Sequence, residues 1–291
     1  RDYQIDAIAH AIATNRSLLI SPTASGKSLI IYCLIRYYQM MELKTLILVP
    51  TTSLVEQMYK DFEDYGWSSE TYCQKIYQGH DKKVTKDVVI STWQSVHRMP
   101  RQYFRQFGAV FGDEAHLFKA KSLTGIMTKL DTCKYRFGLT GTLDDTQTNR
   151  LVLEGLFGKA KYVITTKELI DNKTLANLKI NCIILKYPDE DRQIVKDFEY
   201  AEELEYIVTK VERNTFLCNL VGYCNGNTLV LFQFVEKHGQ PLYNLIQDKY
   251  KDRKVFFVYG GVNTNIREEI REIVENEKDA IIVASYGTFS T

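Results

Sequence analysis

Short, continuous runs of apolar residues recur along this chain, and longer amphipathic stretches separate them. The runs of the first half are Ser17–Ser21, Thr45–Val49, Asp87–Ser91, Ala109–Phe111 and Arg136–Thr140. Those of the second half are Asn181–Leu185, Thr228–Phe232, Lys254–Tyr259 and Ala280–Ser285. Such runs, rich in Ile, Val, Leu and Phe, are typical of strands buried on both faces in a parallel sheet covered by helices. The pattern therefore predicts an α/β fold with two successive, mainly parallel sheets, each flanked by helices.

The length of the chain, 291 residues, is sufficient for two domains, since domains typically contain roughly 100–150 residues. Between residues 158 and 178 there is no long apolar run, and Lys, Thr and Asn are frequent. We therefore place the boundary near residue 168, which predicts a first domain at residues 1–168 and a second at residues 169–291.

The overall charge gives no indication of a nucleic-acid partner. Lys and Arg total 37 against 36 Asp and Glu, so the net charge is +1. A nucleic-acid site in this chain must therefore be a local groove of positive charge, or must depend on backbone amides and hydroxyl groups.

Cysteine spacing and hydropathy argue against a zinc or redox protein and against a membrane protein. The six cysteines include no CxxC pair, so a zinc or redox motif is not indicated and reduced core thiols of a cytoplasmic protein are expected. No apolar run approaches the roughly 18–20 residues of a membrane span, and we expect no membrane partner.

The segment from Ser17 to Tyr32 has the pattern of a phosphate-binding loop. A strand-like run leads into small residues that end in Gly26-Lys27-Ser28, and a helix-like stretch follows. Backbone N–H groups of such a loop point at phosphates, the lysine reaches the β- and γ-phosphates of ATP, and the serine hydroxyl binds Mg²⁺. Ser21 stands where the usual GxxxxGK[ST] pattern begins with glycine, so a helix-capping turn with a chance GKS remains an alternative for this segment alone.

A second segment supplies two adjacent carboxylates. Asp113 and Glu114 follow a short apolar run, about 85 residues after the GKS. Hydrolysis of Mg·ATP needs one carboxylate in the metal shell and another that orients or deprotonates the attacking water. Asp113 suits the first role and Glu114 the second. Adjacent acids also occur on ordinary surfaces, but the two segments together indicate a nucleotide hydrolase.

The order of short motifs along the whole chain resembles that of superfamily 2 helicases. The matching segments are Arg1–Gln4, Ser21–Ser28, Leu48–Thr51 with Leu54, Glu56 and Gln57, Ile90–Ser95, Asp113–His116, Leu139–Thr142, Leu229–Phe234, Tyr259–Gly261 and Ala284–Thr291. Each motif is weak alone, but their order and spacing make a chance match implausible.

This resemblance implies two RecA-like domains and assigns roles to single residues. The ATP-binding group would be Gln4, Thr23, Ala24, Ser25, Gly26, Lys27, Ser28 and Gly287. The catalytic group would be Lys27, Asp113, Glu114 and His116, with Ser28 and Asp113 holding Mg²⁺ and with Thr140 and Thr142 coupling hydrolysis to movement. The DNA-contacting group would be Thr51, Thr92, Lys237 and Thr288.

Within the superfamily, the chain looks most like phage recombination helicases that act on branched DNA and R-loops. That resemblance implies a monomeric motor in the cytoplasm of the host cell, with roles in recombination and replication. Ala24 replaces a glycine that is frequent in this loop, which is expected to stiffen it. The last family motif, which carries arginine fingers, has no match here. We therefore expect a second domain that is incomplete at its C-terminus, and slow ATP hydrolysis by residues 1–291 alone.

Two other functions remain open at this point. A P-loop kinase or small-molecule ATPase would need only the first sheet, and it leaves the motifs of the second half unexplained. A nucleic-acid binding or annealing module could use ATP for regulation alone. ATP turnover stimulated by polynucleotides would distinguish these functions from a helicase.

Overall fold

The structure is a computed structural model that describes residues 1–143 and 147–289. It divides into two compact units, Arg1–Ile180 and Asn181–Thr291. The boundary that the sequence predicts, near residue 168, falls within a helix of the first unit, Thr166–Asp171. Residues 290 and 291, the end of the last predicted motif, lie outside the described residues.

The first unit contains a parallel sheet with helices around it. Its strands are Arg16–Ile20 (β1), Lys44–Val49 (β2), Cys73–Ile76 (β3), Val88–Thr92 (β4), Phe107–Gly112 (β5), Tyr135–Thr140 (β6) and Ala160–Tyr162 (β7). Its helices are Asp2–Thr14 (α1), Lys27–Met40 (α2), Thr52–Asp64 (α3), Ser69–Tyr72 (α4), Trp93–Val96 (α5), Arg101–Phe104 (α6), Lys121–Lys129 (α7), Gln147–Phe157 (α8) and Thr166–Asp171 (α9), with a 3₁₀ turn at Ala115–Lys119. The strand order is β3-β4-β2-β5-β6-β1-β7, and every pair is parallel.

Alternate residues of the central strands pack into two separate cores, one on each face of this sheet. In β1, Leu19 belongs to one core, whereas Leu18 and Ile20 belong to the other. In β5, Phe111 and Val110 divide in the same way. Successive side chains of a strand point to opposite faces, so a strand covered by helices on both sides needs an apolar residue at every position. This explains the continuous apolar runs in the sequence.

The second unit also contains a parallel sheet. Its strands are Thr228–Phe232 (β8), Val255–Val258 (β9) and Ile281–Ser285 (β10), in the order β8-β10-β9. Its helices are Asp189–Ile194 (α10), Tyr200–Thr209 (α11), Val211–Val221 (α12), Gln240–Lys249 (α13), Thr264–Asn276 (α14) and Tyr286–Phe289 (α15), with a π-helical turn at Val235–Gly239. The predicted α/β fold with two parallel sheets flanked by helices is thus confirmed.

Three details of the sequence-based prediction are wrong. Asn181–Leu185 is not a strand, and Ile184 within it is 83% exposed. The strands β3 and β7 were not predicted, because they are the two edges of the first sheet and their sequences, CQKI and AKY, are not continuously apolar. An edge strand pairs on one side only and tolerates polar residues.

The cysteines are free, but they are not all in a core. Cys73, Cys133 and Cys218 are buried and Cys33 is half-buried, whereas Cys182 and Cys224 are exposed. The prediction of core thiols is therefore wrong for the last two, which lie outside the regular strands. Among the described residues, no helix combines the length and the apolar character needed to cross a membrane.

Candidate active site

Three neighbouring strands end at the same edge of the first sheet and carry the predicted nucleotide-binding residues. The order β5-β6-β1 places these strands side by side, and all of them are parallel. The phosphate loop follows β1, Asp113 follows β5, and Thr140 is the last residue of β6. The carboxyl ends of parallel strands are the usual position of ligand sites in α/β proteins, so the topology brings these groups together.

The loop between β1 and α2 has the backbone conformation of a phosphate cradle. Ala24 (φ 62°) and Gly26 (φ 84°) are both left-handed, and Gly26 is the N-cap of the 14-residue helix α2. A Cβ atom at Gly26 would lie 2.3 Å from Nε2 of Gln4 and would displace that side chain, and the positive φ also disfavours any residue but glycine here. The free N–H groups at the start of α2, together with the helix dipole, make this loop suitable for anionic phosphates.

Two serines brace the loop from inside. The hydroxyl oxygens of Ser21 and Ser25 lie 2.7 Å apart, and both residues are fully buried. Ser25 also donates to the carbonyl oxygen of Pro22 at 2.5 Å, which leaves its oxygen to accept from Ser21. Ser21, which stands where the usual pattern has glycine, therefore stabilises the loop through this hydrogen bond.

Helix α1 holds the same loop from outside. Nε2 of Gln4 donates to the carbonyl oxygen of Ser25 at 3.1 Å, and the Tyr3 hydroxyl donates to the same oxygen at 2.9 Å. Gln4, predicted to bind ATP, thus lies directly against the phosphate loop. Thr23 and Ala24 are exposed on the loop surface.

Lys27 and the carboxylates after β5 form a network of charged groups. Nζ of Lys27 lies 3.8 Å from Oε1 of Glu114, and Nδ1 of His116 lies 3.3 Å from Oε2 of the same carboxylate. Glu114 has a left-handed backbone, with φ 50°. Such a conformation costs a non-glycine residue on the order of 1–3 kcal/mol, and strain of this kind is concentrated at functional sites.

His116 connects this network to the end of β6. Its Nδ1 lies 3.0 Å from Oγ1 of Thr140, and Thr140 donates to the carbonyl oxygen of Thr142 at 2.8 Å. Because the Thr140 hydroxyl has a single hydrogen, it accepts from the Nδ1–H of His116. The residues that the sequence assigned to coupling, Thr140 and Thr142, are thus joined to Glu114 through one imidazole ring.

Asp113 is a buried carboxylate that lacks a partner for one oxygen. The residue is 8% exposed, and among the described residues its Oδ1 has no hydrogen-bond partner. Burial, and next the charge of Glu114, raise the pKa of Asp113 to about 6, against the opposing effect of Lys27. An unpaired carboxylate at this depth is unfavourable unless a cation balances it. Its oxygens are suited to Mg²⁺, which prefers oxygen ligands.

Ser28, the other predicted Mg²⁺ ligand, contacts a residue that sequence reasoning missed. Its hydroxyl is hydrogen-bonded to the Tyr65 hydroxyl, with 2.9 Å between the oxygens. Tyr65 follows the last residue of α3 and is far from Ser28 in sequence. Among 19 tyrosines, no local signal distinguished it.

The candidate DNA contacts of the first unit lie at the carboxyl ends of two further strands. Thr51 follows β2 and caps α3, since its hydroxyl accepts from the N–H of Leu54 at 3.3 Å. Thr92 ends β4 and is buried, with its hydroxyl 2.8 Å from that of Ser95. Both positions are at the carboxyl edge of the sheet, but each hydroxyl already has a local partner.

The candidate residues of the second unit have similar local contacts. Nζ of Lys237 lies 2.7 Å from Oε2 of Glu205. The hydroxyls of Thr288 and Ser285 are 2.6 Å apart, and Gly287 is exposed. The roles assigned to Lys237, Gly287 and Thr288 stay predictions.

Known proteins resemble this chain in sequence and in fold. Residues 1–145 match the family described as the Type III restriction enzyme, res subunit. The ATP-dependent DNA helicase uvsW of Enterobacteria phage T4 is 40% identical over 297 residues, which cover 99% of this chain and 59% of the relative. The chain thus spans less than two thirds of the length of that relative.

Two solved structures agree with this result. The crystal structure of T4 UvsW has a TM-score of 0.52 and 38% identity, and the match covers 99% of this chain and 58% of that one. The Hef helicase domain of Pyrococcus furiosus has a TM-score of 0.66 over 98% of this chain and 85% of that one, at 12% identity, which is a likeness of fold alone. The resemblance that the motifs predicted is confirmed: this chain is similar to UvsW over nearly its whole length.

Proposed function

We propose that this chain is the motor part of an ATP-dependent DNA helicase that couples Mg·ATP hydrolysis to movement along branched DNA, including R-loops. The observation that supports this proposal is the position of Lys27, Asp113 and Glu114 beside one phosphate loop. They lie at the carboxyl ends of β1 and β5, the two parallel strands on either side of β6. The similarity to a DNA helicase over 99% of the chain supports the same function.

Each residue of the site has a distinct role in this proposal. The N–H groups that follow Gly26 and the ammonium group of Lys27 bind the phosphates of ATP. Glu114 orients the attacking water and accepts its proton. Ser28 and Asp113 would hold Mg²⁺, which when bound neutralises charge on the phosphate oxygens. His116 and Thr140 carry changes at Glu114 to the segment around Thr142.

The nucleic-acid contacts are mainly hydroxyl groups and backbone amides. Since the net charge is only +1, these contacts belong to a local groove, and contacts with phosphate carry little sequence information. Thr51 and Thr92 in the first unit, and Lys237 and Thr288 in the second, are the candidates. By the resemblance to phage recombination helicases, we infer a monomeric motor that acts in the cytoplasm of the host cell.

The test is the ATPase activity of the full-length protein, measured with branched DNA, linear duplex DNA and RNA, and without polynucleotide. We expect stimulation by DNA, strongest for the branched substrate. Lys27→Ala should abolish turnover without loss of fold, and Glu114→Gln should bind Mg·ATP but hydrolyse it very slowly. Turnover that is independent of every polynucleotide would instead favour a P-loop kinase or a small-molecule ATPase. ATP binding without turnover would favour an annealing module regulated by ATP.

A further inference from the structure

Two polar side chains from outside the phosphate loop face the Ser28 hydroxyl, one from helix α3 and one from the residue that follows it. The Tyr65 hydroxyl is 2.9 Å from Oγ of Ser28. Asp61, one turn earlier on α3, also faces Ser28. Burial raises the pKa of Asp61, and a hydrogen bond from Ser28 offsets part of that effect. The candidate Mg²⁺ ligand is therefore in contact with an element outside the phosphate loop.

The Tyr65 hydroxyl is fixed in place by aromatic packing. Its ring lies 5.2 Å from that of Tyr32, which also contacts Phe62 at 5.7 Å and Trp67 at 5.9 Å. Tyr65 is half-buried, and burial raises its pKa. Packing against the Tyr32 ring restrains the Tyr65 phenol, so its oxygen stays within reach of Ser28.

A serine hydroxyl has one hydrogen and two lone pairs. When one lone pair binds a metal ion, the hydrogen needs an acceptor that directs it away from the metal. Outer-shell partners of this kind orient metal ligands, and their loss typically lowers metal affinity by about 10–100-fold. Asp61 and Tyr65 compete for this single hydrogen. The Tyr65 oxygen, 2.9 Å from Oγ of Ser28, is close enough to accept it.

We propose that Tyr65 is a positioning residue that orients the Ser28 hydroxyl for Mg²⁺. This inference rests on the proposed function, because it takes Ser28 as a ligand of the magnesium ion that accompanies ATP.

The role of Tyr65 would also connect the candidate magnesium ligand with a candidate DNA contact. Helix α3 begins directly after Thr51, a candidate DNA contact, and Tyr65 follows its last residue. A shift of α3 on DNA would therefore move the group that orients Ser28.

The experiment measures binding of a fluorescent ATP analogue to the full-length protein, once with Mg²⁺ and once with EDTA. Tyr65→Phe removes the hydroxyl and keeps the ring. We expect about a 10-fold loss of affinity with Mg²⁺ and unchanged affinity in EDTA. Tyr32→Phe is the matched control, because it removes a hydroxyl from the same aromatic cluster, one that accepts from the guanidinium of Arg36 and not from Ser28. The control should bind like the wild type under both conditions.

Ser28→Ala separates failure of this inference from failure of the proposed function. If Ser28→Ala loses the Mg²⁺-dependent affinity and Tyr65→Phe keeps it, the role of Tyr65 is overturned and the proposed function stands. If both variants bind like the wild type, the assignment of Ser28 to the metal is wrong, and the inference fails with it. An equal loss with and without Mg²⁺ for Tyr65→Phe would indicate a structural role only, which also overturns the proposal. In the double variant, Tyr65→Phe should have no further effect.

Discussion

Ser21 and Lys27 show how far single residues could be predicted. The role of Lys27 follows from its neighbours, because GKS between a strand and a helix is a local pattern with a known mechanism. The hydrogen bond of Ser21 to Ser25 did not follow, since it depends on a loop conformation that brings two buried hydroxyls within 2.7 Å. Tyr65 was missed for a related reason: its contact with Ser28 exists only after α3 has packed beside α2. Roles that depend on neighbouring residues can be predicted from a sequence, whereas contacts between residues distant in sequence cannot.

Ala24 carries backbone strain that glycine would remove. Its φ of 62° is in the left-handed region, which costs an L-residue roughly 1–2 kcal/mol. Ala24→Gly should therefore raise the free energy of unfolding by about 1 kcal/mol. The contrasting control is Ala13→Gly, at an exposed position within α1, where glycine should cost about 1 kcal/mol. Urea unfolding of the two variants should show changes of opposite sign, and destabilisation by Ala24→Gly would contradict the assigned conformation.

Asp113 should make stability depend on pH in the absence of Mg²⁺ and nucleotide. Its pKa is raised from 3.8 to about 6 on folding, first by burial and then by Glu114. The folded protein therefore binds the proton more tightly than the unfolded chain, and the stability from this group falls as pH rises from about 4 to about 6. Asp113→Asn removes the titration, so at pH 7.5 it should stabilise the ligand-free protein by up to about 3 kcal/mol.

The measurement for Asp113 compares urea unfolding of wild type and variant at pH 7.5 and pH 5. The advantage of Asp113→Asn should shrink at the lower pH, because the wild-type carboxyl is then largely protonated. A difference that is the same at both pH values would mean that Asp113 does not titrate in this range. Addition of Mg·ATP should reverse the order of stability, since the variant lacks a proposed metal ligand.

At the scale of elements, prediction succeeded for the central strands of the first sheet and for all three strands of the second, and it failed at the two edges of the first sheet. Strands such as β2 and β5 are covered on both faces, so burial requires the continuous apolar runs that the sequence contains. The edge strands β3 and β7 lack that requirement. Asn181–Leu185 shows the opposite error: it has the composition of a strand, but among the described residues it pairs with no other segment. Strand formation depends on a neighbour, which composition does not specify.

Replacing Thr51 tests the N-terminus of helix α3, because its hydroxyl both caps that helix and is a candidate DNA contact. Thr51→Ala should lower the free energy of unfolding by about 1 kcal/mol, the usual cost of losing an N-cap. Thr51→Ser keeps the hydroxyl and should be close to wild type. If DNA affinity falls for the alanine variant alone, the hydroxyl is needed for DNA binding. Equal stability of the two variants would show that the cap does not form.

The whole molecule should unfold in two steps, because each unit has cores of its own. The first unit contains two extended cores on the faces of its sheet, and those of the second unit are smaller. Both tryptophans of the chain, Trp67 and Trp93, belong to the first unit. Tryptophan fluorescence therefore reports on that unit alone, whereas far-ultraviolet circular dichroism reports on the helices of both. We expect the dichroism signal to begin its transition at lower urea than the fluorescence.

Repeating the urea unfolding with Mg·ATP tests which unit binds the nucleotide. The phosphate loop, Lys27, Asp113 and Glu114 all belong to the first unit, so nucleotide should shift the fluorescence transition. At a ligand concentration of 100 times Kd, the expected stabilisation is about 2.7 kcal/mol. If Mg·ATP shifts only the later transition, which fluorescence and dichroism both report, the main nucleotide contacts lie in the first unit. If the earlier dichroism transition moved as well, residues of the second unit would contribute, and Gly287 would be the first to replace. Coincident transitions without ligand would contradict independent unfolding of the two units.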